Sequence, residues 1–194
     1  MNSQNIKEDM RSRRTKKILY QTFFHLLEQR SLKDITVNDI CQQAMVHRTT
    51  LYKYFDSKYA LLEYGVHQVH KELMDQLQEI PPENLQLAAC DLSIDFIDTH
   101  KNAILHVIEE NFTPTLCFLL ENLSNLIAHH GEKHWKSMGY PDFSSPVSSE
   151  IVGQFFAGGI AAFILWWLQK GDSIDKEQIK QYLHEIIQTV EKKD

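Results

Sequence analysis

Residues 36–58, TVNDICQQAMVHRTTLYKYFDSK, constrain this chain more than any other stretch. Thr36 is a good N-cap, and Asn38 and Asp39 place acceptors in the first turn of the helix it opens. Val37, Ile40, Cys41 and Ala44 recur at helical spacing and predict one short amphipathic helix. A break follows at Met45-Val46. Beyond it, His47 to Phe55 predicts a second short helix whose outer face is basic, hydroxylated and aromatic. Two short helices joined by a tight turn, the second exposing Arg, Lys, Thr and Tyr, suit the major groove of DNA.

The same residues carry a family resemblance. Thr36, Asp39-Ile40-Cys41, Ala44-Met45-Val46-His47, Thr50-Leu51-Tyr52, Tyr54-Phe55, Ser57-Lys58 and Leu61-Leu62 stand in the order and spacing of the helix-turn-helix of the TetR family of bacterial transcriptional regulators, which the segment resembles. It covers about the first third of the chain. Cys41 stands where the family has alanine and keeps a small side chain for the interior. Met45 replaces the usual turn glycine and is strained if its φ is positive, which would shift the turn. His47 replaces a serine-like cap, weakening the cap while offering a phosphate donor.

Arg48, Thr49, Thr50, Tyr52 and Lys53 lie on the first two turns of the expected recognition helix. The fork of Arg48 matches guanine O6 and N7, and Thr49 offers a methyl to thymine or a hydroxyl to either base class. Asn38 reaches toward a base at the groove edge, and Thr36 caps its helix against the backbone. The resemblance implies that Thr50 and Tyr54 contact phosphate, that Tyr52 touches backbone or a base edge, and that Lys58 opens the next helix against a phosphate. Phe55 is expected in the core, and for Tyr52 a core position is the alternative. Arg11, Arg13 and Arg14 read either as a disordered arm gripping DNA or as a solubilising tail.

The remaining periodicity is helical. Ile18, Leu19, Thr22, Phe23, Leu26 and Leu27 form one stripe; Ser57 caps a long helix toward Gln78; Pro81-Pro82 ends that helix and opens the next. Helices are expected over about 84–100, 102–110, 113–130, 147–170 and 174–191, with 131–146 as the one long loop. No strand pattern competes. The expectation is an all-α chain of about nine helices: a helix-turn-helix head over 11–71 and a regulatory, dimerising body over 72–194.

Charge divides along the same line. Residues 1–58 carry 11 Lys and Arg against 6 Asp and Glu, a net of +5; the remainder carries 9 against 20, a net of −11, so the chain totals −6. A basic head on an acidic body is the electrostatic footprint of a protein that touches DNA with one end. Cys41, Cys90 and Cys117, odd in number and widely spaced, read as reduced core residues of a cytoplasmic protein. Nothing in the N-terminal residues marks secretion.

The stretch 151–168, IVGQFFAGGIAAFILWWL, has Gln154 as its only polar side chain and sits at the lower length limit for a membrane span. Lys170 is the one nearby cation, poor flanking for a span. Ala157, Gly158, Ala161 and Ala162, with Leu165, instead form a small-residue strip that admits a second helix, and Ile179, Leu183, Ile186 and Val190 share a face of the next. The two helices are expected to pack on a symmetry mate rather than on lipid. The TetR resemblance likewise implies a four-helix dimer interface from the last two helices of each subunit.

It further implies a small-molecule site in the body. Tyr64, His67, Phe96, His100, Phe112, Phe118, Phe155, Phe163 and Trp167 are candidates for a pocket taking a hydrophobic effector, against the alternative that most are ordinary core. His129, His130 and His134 have no Cys or carboxylate set to complete a metal site. No phosphate loop, nucleophile elbow or paired carboxylate points to an enzyme, and no cofactor is implied. The expected function is a homodimeric, cytoplasmic, one-component repressor of bacteria, binding a palindromic double-stranded operator. The rival is a TetR-like activator or co-regulator governed by a protein partner.

Overall fold

The computed structural model describes residues 3–77, 80–81, 84–110, 113, 117, 120–121, 124 and 149–191, and within them side chains other than those of 3–9, 85–86, 149–150, 152–153, 156, 172 and 190–191. All regular structure among them is helical. In chain order the helices are α1 (Ser3–Leu27), α2 (Val37–Gln43), α3 (Arg48–Tyr52), α4 (Lys58–Leu77), α5 (Leu85–Thr99), α6 (101–110), α7 (Ser149–Lys170) and α8 (Lys176–Glu191), with 3-10 turns at Leu32–Asp34 and Gly171–Ser173. The helix expected over 113–130, the loop over 131–146 and His129, His130 and His134 lie largely or wholly outside the described residues.

The chain forms two units: Met1–Asp75 with His100–Glu110, and Gln76–Thr99 with Asn111–Asp194. The first thus takes back α6. Its core joins Leu19, Phe23, Leu26 and Leu27 of α1, Leu32 and Ile35 of the 3-10 turn, Ile40 and Cys41 of α2, Leu51 of α3, Leu61 and Leu62 of α4, and Ala103 and Val107 of α6. The stripe on α1 differs from the expected one at its start, since Ile18 is 37% exposed and Tyr20 is buried. His106 Nδ1 donates to Leu27 O at 2.7 Å, closing a bare carbonyl at the end of α1, and His100 Nδ1 lies 2.9 Å from Glu28 Oε1.

In the second unit α5 packs on α8. Ile94, Trp167, Ile179 and Leu183 form its buried centre, with Cys90, Ile97, Phe163 and Ile174 around it. Trp167 is buried with its indole N–H satisfied, donating to Ile174 O at 3.1 Å. Along the α5–α8 seam Asp95 meets Lys180 at 2.8 Å and Lys176 at 3.0 Å, and His184 Nε2 lies 2.8 Å from Asp91 Oδ1. The two lysines hold the Asp95 carboxyl below its usual range. Burial, and then the neighbouring Asp91, pushes the Cys90 thiol up to about 11. All three cysteines are free, but Cys117 is exposed rather than in a core.

The small-residue strip of α7 divides. Ala157 and Ala161 are buried, as are Ile179 and Leu183 on α8. The outward face of α7 carries Ile151, Phe155, Gly158, Gly159, Ala162 and Trp166, with Leu165 half-buried; Tyr182 and Ile186 are outward on α8. Val190's side chain lies outside those described. No helix among the described residues is long and apolar enough to cross a membrane.

Candidate nucleic-acid interface

α2 starts on a complete capping box. Asp39 N–H donates to Thr36 Oγ1 at 3.1 Å, while Thr36 N–H and Thr36 Oγ1 both donate to Asp39 Oδ2 at 2.8 Å. Two bare donors are satisfied reciprocally, as this pair of residue types three apart allows. The Thr36 backbone donor, then its hydroxyl, lowers the Asp39 carboxyl from its ordinary value. Arg30 lies 3.9 Å away on the same carboxylate.

α2 ends in a Schellman motif. Val46 N–H reaches Cys41 O at 2.9 Å and Met45 N–H reaches Gln42 O at 3.2 Å, around Met45 at φ 54°. That conformation is the reason for glycine at such a position. The turn is thus formed where the sequence places it, with a strained methionine whose side chain is 92% exposed.

α3 follows from His47, whose carbonyl accepts Thr50 N–H at 2.8 Å but whose ring makes no cap bond. Its inner side is anchored by fully buried Leu51, and Phe55 beyond it is buried as expected. His47, Arg48, Thr49, Tyr52 and Lys53 are exposed; Thr50 and Tyr54 are half-buried. Tyr52, 46% exposed, takes the outward alternative. Arg48 and Tyr52 meet at i, i+4, the guanidinium 5.8 Å from the ring centroid and 3.5 Å from the hydroxyl. The Tyr52 hydroxyl raises the Arg48 guanidinium above its ordinary value. Asn38 is exposed in the first turn of α2.

Two expected contact residues differ from the rest. Thr36 gives its hydroxyl proton to Asp39, leaving none for a phosphate. The Lys58 ammonium lies within the head, against backbone carbonyls of the α1–α2 connection. Sequence reasoning also did not place Lys16 beside this face: its ammonium stands 5.5 Å from the rings of both Tyr54 and Tyr64. No local signal marks it, because those rings come from distant positions. Arg11, Arg13 and Arg14, exposed, are part of α1, which is helical from Ser3; they are not a disordered arm.

The expected effector residues are distributed over both units. Tyr64, half-buried, packs on Phe55 at 5.2 Å and Tyr20 at 6.0 Å against the head core. His67, exposed, and His100, beside Glu28, belong to the first unit as well. Phe96, Phe163 and Trp167 belong to the second, where Phe163 lies 5.7 Å from Trp166. Phe112 and Phe118 lie outside the described residues. No group of three His, Cys, Asp or Glu able to hold a metal occurs among the described residues.

A capped helix, a Schellman turn and a second helix with an exposed Arg-Thr-Tyr-Lys face define a helix-turn-helix DNA-binding protein. Residues 24–64 match the model of bacterial regulatory proteins of the tetR family, and residues 83–189 match that of a transcriptional regulator C-terminal region. The chain belongs to the TetR family of transcriptional regulators, whose members bind DNA and form dimers. It is similar to the uncharacterized HTH-type transcriptional regulator YxbF of Bacillus subtilis, 27% identical over 84% of this chain, and spans 42% of that protein's length. It is similar also to the dhaKLM operon transcriptional activator DhaS of Lactococcus lactis, 25% identical over 84% of this chain and 83% of DhaS. Among solved structures, a DhaS shares the fold with a TM-score of 0.71 at 19% identity, over 90% of this chain and 94% of that one. The fatty acid degradation regulator FadR of Bacillus halodurans does so at 0.67 and 14%, over 88% and 93%. These matches are transcription regulators, not enzymes.

Proposed function

We propose that this regulator works as a homodimer whose two α3 helices read a palindromic operator in successive major grooves, roughly 34–36 Å apart. The observation that carries it is the exposed α3 face, with Arg48 poised along its outer edge. Arg48 and Thr49 read bases; Thr50, Tyr52, Lys53, Tyr54 and His47 hold phosphate and sugar; Asn38 approaches a base edge. The dimer forms through the outward faces of α7 and α8, with Ala162, Trp166 and Ile186 central. A small hydrophobic effector bound in the body favours a spacing of the heads that the operator does not fit, and releases the DNA by its differential affinity for the two states. The action is repression, in the cytoplasm.

Operator sites selected from random duplexes give the test. Arg48→Ala should cost about 1–3 kcal/mol and flatten preference at one base pair of each half-site. An unchanged operator-to-scrambled ratio would place α3 outside the groove.

A second reading is that the chain activates transcription under a protein partner; the similarity to DhaS, named as an activator, supports the sign of that reading. In vitro transcription from a promoter bearing the selected operator decides the sign. For the effector, a cationic and lipophilic library should contain a compound that raises the melting temperature by mass action and weakens operator binding. A compound-independent melting temperature together with increased transcript favours the DhaS-like reading.

A further inference from the structure

Lys58 is the first residue of α4, where a cation meets the positive end of the helix dipole. Its side chain turns away from that end. The ammonium lies 2.6 Å from Leu32 O, 2.8 Å from Ile35 O and 3.4 Å from Lys33 O. Three donors thus meet three carbonyls, and hydrogen bonds from a charged donor are the stronger class. The carbonyls sit on a backbone pinned from below, since the Leu32 and Ile35 side chains are fully buried. Ile35 immediately precedes Thr36, whose capping box begins α2, and α2 leads through the Schellman turn directly into α3. The tie therefore joins the first turn of α4 to the start of the reading unit, 23 to 26 positions earlier in the chain.

We propose that Lys58 is a positioning residue: it fixes the approach of α2, and with it the pitch of α3, instead of contacting a DNA phosphate. A phosphate contact would have to draw the ammonium off Leu32 O and Ile35 O, with only the Ile35 N–H, at 3.4 Å, left on Leu32 O. The consequence for DNA rests on the reading of α3 above, but the tie itself exists without DNA.

Two measurements on the full chain test it. In wild-type protein, acetylation by an N-hydroxysuccinimide acetate, followed by peptide mass spectrometry, should find Lys58 slow without DNA and unchanged by operator. Exposed Lys53 should react fast and become protected when operator is added. Lys58 reacting as fast as Lys53 and slowing only with DNA overturns the proposal. In the second, Lys58→Met binds operator and scrambled duplex across a salt series. The operator-to-scrambled ratio should fall by about tenfold, the worth of one charge-assisted hydrogen bond, with the salt slope unchanged. A slope smaller by about one per subunit at an intact ratio is the phosphate-contact result and overturns it. So does a lower melting temperature with both ratio and slope intact, which is a simple structural prop. Should Lys58→Met not fold, the acetylation pattern decides alone. Should α3 not read DNA, Lys53 gains no protection while Lys58 still stays slow, so the two failures are distinguishable.

Discussion

Met45 sits in the left-handed region at φ 54° with nothing packed on its side chain. An L residue there is strained by about 1–2 kcal/mol, and glycine recovers that less the entropy it adds to the unfolded chain. Met45→Gly should therefore stabilise the protein by about 0.5–1 kcal/mol in urea denaturation. A loss of stability would mean that the turn leaves this conformation in solution. Asp39 makes a pH-dependent contribution three residues past the cap. Its folded-state pKa lies below the unfolded one, so the stabilisation is fully present above about pH 4 and is lost as pH falls through the folded value. Asp39→Ala should cost about 1 kcal/mol at neutral pH. The difference from wild type should shrink below about pH 4 and stay constant above it; a difference that keeps growing in acid would contradict the box. These residues were legible in the chain itself because every bond of the box and of the Schellman turn spans three to five positions.

Among the elements, α4 and α7 show opposite uses of glycine. A Cβ on Gly65 would stand 2.8 Å from Phe24 Cζ and 3.2 Å from Tyr20 Cβ, so α1 approaches α4 where the side chain is missing. Gly65→Ala gains about 1 kcal/mol of helix propensity but overpacks by about 1–3 kcal/mol, a net loss of about 1 kcal/mol by thermal or urea unfolding. At Gly158 and Gly159 a Cβ would meet nothing within 4 Å. That difference cannot be read from α7 as a sequence. The helix is apolar nearly all round, so periodicity names no inner face, and the strip 157–162 reads equally well in either orientation. Only the folded chain shows Ala157 and Ala161 buried while Phe155 and Trp166 of the same helix are exposed.

For the whole molecule this assignment changes how the dimer is tested. Phe155→Glu places a charge on the outward face of α7, where Phe155 is 77% exposed. Sedimentation should then show folded monomers with an unchanged helical circular dichroism signal. Ala161→Glu, by contrast, buries an unpaired charge inside the unit and should lower the melting temperature or abolish folding, a cost of about 3–5 kcal/mol. Phe155→Glu remaining dimeric would move the interface away from α7. The charge division, +5 in residues 1–58 against −11 beyond, needs no structure to be seen, and gives DNA binding a steep decline with salt.

The sequence by itself determined what depends on neighbours a few positions away: the capping box, the break at Met45, the amphipathic α2 and α3, and the outward chemistry of Arg48, Thr49 and Lys53. It also carried the charge asymmetry, which is a sum over residues and insensitive to folding. Tertiary structure decided what depends on partners met only after collapse. Tyr64 sets its ring against Phe55, and His100 meets Glu28, 72 positions away, neither of which their residue types announce. Lys58 has the position of a phosphate contact, yet its ammonium goes to carbonyls from before α2. A side chain's type sets what it can bond; which backbone or ring arrives beside it is settled by long-range packing that no local pattern encodes.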